Sequence, residues 1–163
     1  MSATPAGIPP TTINRLTIVI DNQWTLLKRF LGILEREEAI LIAADRDALM
    51  ALANEKNEVY QLLQRQHDAC CILIAQCSKP NTAQSVREIC AHLPDTLARW
   101  EEVLEMAAQA KARNESNGKL IIEQMHANQS ALSVLLTAAD QPQLYSADGS
   151  ARHAGSGRIL GSA

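Results

Sequence analysis

The residues with the strongest intrinsic chemistry gather in mid-chain: His67, Cys70, Cys71, Cys77, Cys90 and His92. Thiolates and imidazoles bind zinc, but structural zinc sites present a CxxC-type pair on a turn, and none occurs here. A disulfide framework needs an oxidising compartment and a loop-rich chain, whereas two of these cysteines are adjacent and all lie in helical patterns. They read as buried thiols that pack like small hydrophobes. The carboxylates Glu35, Glu37, Glu38, Asp45 and Asp47 are interspersed with Arg36 and Arg46, the pattern of a solvated helix face and turn. There is no nucleophile elbow, no HExxH and no phosphate-binding loop. The sequence predicts no enzyme, no metal and no cofactor.

What remains is recognition chemistry. Leu93, Leu97, Trp100, Leu104, Ala107, Lys111, Asn114, Gly118, Ile121, Met125, Asn128, Leu132 and Leu135 recur in alternating steps of four and three, a heptad seam with apolar ends and a polar middle. Amides and a lysine in such a seam fix register in a bundle. Alternatively they line a groove that the chain's own helices leave open for a partner helix. Tyr145 stands in a polar stretch, where it either packs back on the helices or anchors in a partner's pocket, since tyrosine supplies area at little entropic cost.

These residues are positioned by an all-α chain. Hydrophobic residues make up 47% of the 163, aromatics only 3%, and Ala and Leu, both strong helix formers, carry the apolar load. The net charge of −3 comes without a basic stripe, so no nucleic-acid partner is predicted. No apolar run approaches the ~20 residues that cross a bilayer, so no membrane insertion is predicted. The start, MSATPAGIPPTT, lacks the basic and apolar regions of a secretory signal, which predicts a cytoplasmic protein.

Residues 1–11, rich in proline and threonine, read as a disordered arm. A helical domain over 12–139 follows, with helices predicted at about 12–43, 46–77, 82–92 and 95–138. In the first, one stripe through Leu16, Ile20, Trp24, Leu27, Leu31 and Leu34 adjoins another through Leu26, Phe30, Ile33 and Ile40, broken by Glu37. Two stripes make the wide apolar face of a bundle helix. Asp45 or Asp47 is placed to cap the second helix, and Ser78–Thr82 and Pro94 mark the later breaks. The first two helices, each roughly 48 Å long, fit an antiparallel hairpin. The expected architecture is an antiparallel bundle of about three long helices with coiled-coil-like seams. From 140 to 163 the composition shifts to Gly, Ser and Ala, a flexible C-terminal tail.

The stretch NESNGKLIIEQMHANQSALSVL resembles the C-terminal half of FlgN-type flagellar export chaperones, with Asn114, Asn117, Gly118, Leu120, Gln124, Asn128, Gln129, Ala131 and Leu132 in that family's spacing. LYSADG at Leu144–Gly149 and the closing Gly157, Arg158 and Ile159 extend the likeness, and Leu49, Leu52 and Lys56 match more loosely. The resemblance implies an elongated helical protein of the bacterial cytoplasm. It would bind the C-terminal helices of hook-associated (hook–filament junction) proteins, prevent their premature assembly and deliver them to the export gate. It further implies cargo binding by Asn114, Asn117, Gly118, Ile121, Gln124, Met125, Asn128, Leu132 and Leu135. Leu144, Tyr145, Asp148 and Gly149 would dock on the cytoplasmic domain of the gate. The alternative is a self-associating coiled-coil adaptor with no export role.

Overall fold

The computed structural model describes residues 8–139, and the arm before them and the tail from 140 onward, Tyr145 included, lie outside the described residues. Four helices make up nearly all of this span: α1 (Pro10–Ala43), α2 (Arg46–Gln76), α3 (Ala83–Ile89) and α4 (Pro94–Ala139), with no strand among the described residues. The expected all-helical class holds. The chain divides into two compact units, one ending at Ile122 and the second starting at Glu123.

The helix ends follow local chemistry. α1 takes in Pro10 and Thr11, assigned above to the arm, because proline is preorganised at the first helical position, where its missing N–H has no partner to lose. Its far end closes without glycine. Ala44 adopts φ 55° and ψ 31°, and the Asp45 N–H donates back to Ile40 O at 3.2 Å, a Schellman-type stop. Asp45 then caps α2, its Oδ1 accepting from Ala48 N at 3.0 Å, a bond that typically contributes ~1 kcal/mol. Ser78 repeats the left-handed stop after α2 with φ 55°. Thr82 caps α3 by accepting from Ser85 N at 3.2 Å. That helix stops at Ile89, short of the predicted 92, and Pro94 opens α4 where the sequence marks a break.

In the first unit α1 is the central helix. It runs antiparallel to α2, with Arg36 Nη1 2.9 Å from Glu55 Oε2 and Arg29 Nη2 3.4 Å from Oε1. The Arg36 hydrogen bond holds the Glu55 carboxyl below the usual range, though exposed pairs of this kind contribute little stability. Against α4 it runs parallel: Thr17 meets Thr96, Asp21 meets Arg99, Trp24 meets Glu102 and Glu38 meets Arg113. Trp24 donates its indole N–H to Glu102 and lies against two cations, Lys28 Nζ at 3.8 Å and the Arg99 guanidinium at 3.9 Å from the ring centroid. Leu16, Ile20, Ile33 and Leu34 of α1 are fully buried with Val59 of α2 and Val86 and Ile89 of α3. Such side chains contribute about 1.5–3 kcal/mol each on burial.

In the second unit, residues 123–139 continue α4 as helix. Met125, Leu132, Val134, Leu135 and Leu136 are all exposed there.

Candidate functional site

The backbones of α1 and α2 pack closely along their length, and α2 and α4 both flank α1. Between them lies an open groove of ≈ 860 Å³ with α1 as its floor. Leu27, Phe30, Ile74, Trp100 and Val103 give it an apolar base, and Tyr60, Gln64, Lys111 and Asn114 stand along its walls. It stays open because Ala53, Ala107 and Ala110 occupy wall positions where larger side chains would meet.

A polar network lies beside the groove. The Lys56 ammonium donates to both Glu37 oxygens at 2.9 and 2.8 Å. Asn117 Nδ2 donates to Glu37 Oε2 at 2.8 Å and to Leu34 O at 2.9 Å. Glu37 reads in the sequence as an interruption of an apolar stripe and as part of a solvated acidic face, but it is buried. The available signal was the polar residue within that stripe; its partners, distant in sequence, gave none. Glu35 and Glu38 do lie at the surface, both paired with Arg113 at 3.3 Å.

The candidate cargo residues separate. Asn117 is 1% exposed and its amide is spent on α1, so the fold consumes it and it presents no surface to a cargo. Asn114 is exposed on the groove wall, and Gly118 and Ile121 are half-buried. In the second unit Gln124 is half-buried, and Met125, Asn128, Leu132 and Leu135 are exposed. The seam itself needs correction. The buried line of α4 runs through Trp100, Val103, Ala110 and Asn117, with Met106 and Arg113 half-buried between them and Leu120 half-buried beyond. Ala107, Lys111 and Asn114 of the predicted seam face outward beside it. Two neighbouring lines of the helix share the same heptad period, so spacing alone does not choose between them.

The thiols behave as small hydrophobes. Burial, with smaller help from neighbouring thiols, pushes Cys70 and Cys90 from 9.0 up to about 11. Cys71 is half-buried, its sulfur accepting from Asn81 Nδ2 at 2.9 Å with His67 Nε2 3.5 Å away. No group of three or more His, Cys, Asp or Glu among the described residues is arranged to hold a metal ion. At pH 8, iodoacetamide should therefore label Cys71 well before Cys70 and Cys90, which should react only on unfolding. The unfolded chain releases these two thiol protons near pH 9 while the folded chain keeps them. Stability should accordingly fall as pH rises from about 9 towards 11, a slope that urea midpoints in a Cys70→Ala/Cys90→Ala variant should lack. Equal labelling of all four native cysteines would refute this burial pattern.

No described helix is long and apolar enough to cross a membrane. Comparison with known proteins bears on the whole chain. The flagella synthesis protein FlgN of Escherichia coli (strain K12) is 36% identical over 83 residues, which cover 50% of this chain and 54% of that protein. The chain thus matches this curated relative over about half of the relative's length. No solved structure matches. The family model described as FlgN protein matches residues 1–153, nearly the entire sequence, and on that match the chain belongs to the FlgN family.

Proposed function

We propose that the chain is a cytoplasmic chaperone of the flagellar type III export pathway. It would bind the C-terminal helices of hook–filament junction proteins, keep them from assembling early and bring them to the export gate. The observation that carries this reading is an FlgN-family helix whose Met125, Leu132, Leu135 and Leu136 stand in solvent along one side, an apolar surface that a soluble protein rarely leaves without a partner. An amphipathic client helix laid on it buries both apolar faces, and neighbouring Asn128 and Gln129 keep the contact reversible. In this reading the three long helices act as a bundle scaffold, and Leu144, Tyr145, Asp148 and Gly149 form a separate hand-off segment for the cytoplasmic domain of the gate.

The test is a pull-down from a flagellated cell of the source species, with the intact chain and a Tyr145→Ala variant as baits. Junction proteins should come down on both, and the gate component only on the intact chain. Absence of junction proteins from both baits would remove the export role. The same exposed face also suits self-association as a coiled-coil adaptor; a concentration-dependent dimer that captures no junction protein would favour that reading.

A further inference from the structure

The groove of the first unit contains two polar groups that the fold leaves unmet. Gln23 is 7% exposed and Trp100 8%, both line the groove, and neither Gln23 Oε1 nor Trp100 Nε1 has a hydrogen-bond partner among the described residues. The parallel pairing of α1 with α4 through Asp21–Arg99 and Trp24–Glu102 brings Gln23 level with Trp100. An acceptor and a donor therefore sit unsatisfied at one height under the lining of the apolar trough, each with almost no surface of its own open to solvent. Buried unmet groups are costly, so two of them in one place call for an explanation.

The groove's dimensions favour a helix. Its lining runs from Gln23 to Glu37 on α1 and from Trp100 to Asn114 on α4, about 21 Å each, and from Ala53 to Ile74 on α2, about 30 Å. That matches roughly four turns of helix laid in a trough and is longer than a compact small-molecule pocket requires. The charges add direction. The only carboxylate in the lining, Glu37, is already bound by Lys56, and Lys111 has no carboxylate within ion-pair reach among the described residues. The open position is net positive.

We infer that this groove is a second seat for a client, taking an amphipathic helix that inserts one carboxamide or hydroxyl side chain between Gln23 and Trp100. Such a side chain donates to Gln23 Oε1 and accepts from the Trp100 N–H with a single residue. Both atoms are closed to solvent in the free chain, so the entering helix must part the lining above the Trp100 N–H, while the soft terminal torsion of Gln23 lets its oxygen turn to meet the incoming group. The helix carries an acidic residue at the end nearest Lys111. The inference rests on the chaperone reading for the identity of the client and deepens it by naming what the groove recognises.

The test titrates the full chain with the C-terminal helical segment of a junction protein, following calorimetric affinity and hydrogen exchange. Binding should protect 23–37 of α1 and 53–74 of α2. Gln23→Leu, with Gln23→Met as a second variant, should weaken binding about tenfold. The same change should raise the Tm of the free chain by about 2–4 °C, since an unmet acceptor is gone. A residue serving only the fold would instead lower Tm and leave affinity alone, and that result overturns the inference by showing that Gln23 and Trp100 satisfy each other. Protection confined to residues beyond Ile122, with both variants binding normally, would also overturn it and leave the chaperone reading standing. No binding anywhere would remove both. Groove protection that depends on chain concentration without client would assign the seat to a second copy and overturn the client.

Discussion

Lys56→Met should destabilise the folded chain by about 2–3 kcal/mol, one of the largest effects expected from any single surface-adjacent change. The Glu37 side chain is 7% exposed and its Lys56 partner 23%. Removing the ammonium leaves a carboxylate that water hardly reaches, held by the Asn117 amide alone. The value sits below the ~3–5 kcal/mol of a fully enclosed pair because Lys56 itself is partly solvated. For a chain of this length it corresponds to a drop in Tm of roughly 5–10 °C. Glu37→Gln should cost clearly less, since the lysine can swing its head into water while the new carboxamide still accepts from Asn117. Urea midpoints of the two variants measure the asymmetry. Equal costs, or a neutral Lys56→Met, would show that Glu37 reaches solvent after all.

The second large effect is functional. Leu132→Gln with Leu135→Gln should weaken client binding by about 100-fold and change stability by less than ~0.5 kcal/mol. Both leucines are exposed, at 57% and 67%, so their replacement forfeits no core contact. Glutamine is as good a helix former as leucine, so α4 keeps its conformation. Circular dichroism melts and calorimetry on the same preparations separate the two quantities. A fall in stability would mean that this face is covered in the free chain. Unchanged affinity would move the client elsewhere, the groove beside Gln23 being the next place to look.

Much of this arrangement was legible residue by residue. The paired stripes of α1 announced its wide buried face, and Leu16, Ile20, Ile33 and Leu34 are indeed fully buried. Asp45 as a cap and Pro94 as a helix start follow from local chemistry that needs no tertiary partner. The α1–α2 turn was harder, because Ala44 and not glycine adopts its left-handed conformation. Glu37 was misplaced because composition sees a charge, whereas its burial depends on Lys56 and on Asn117, 80 residues away. Asn117 was expected at a cargo surface, and its hydrogen bonds to Leu34 and Glu37 of α1 leave no trace in the sequence. The groove was illegible as a groove, since it arises from alanines, and an alanine has the same helical signature whether it faces a neighbour or open space.

The parallel pairing of α1 with α4 has a consequence for how the chain comes into being. Trp24 waits for Glu102, 78 residues later, whereas Arg36 meets Glu55 after only 19. At the usual pace of synthesis the ribosome needs about 4–16 s to cover the longer interval. Once α2 has been made the nascent α1–α2 hairpin can close, as low contact order favours, but the side of α1 destined for α4 stays bare until Glu102 follows. A protein proposed to shield the unfinished helices of others thus emerges with an unfinished face of its own.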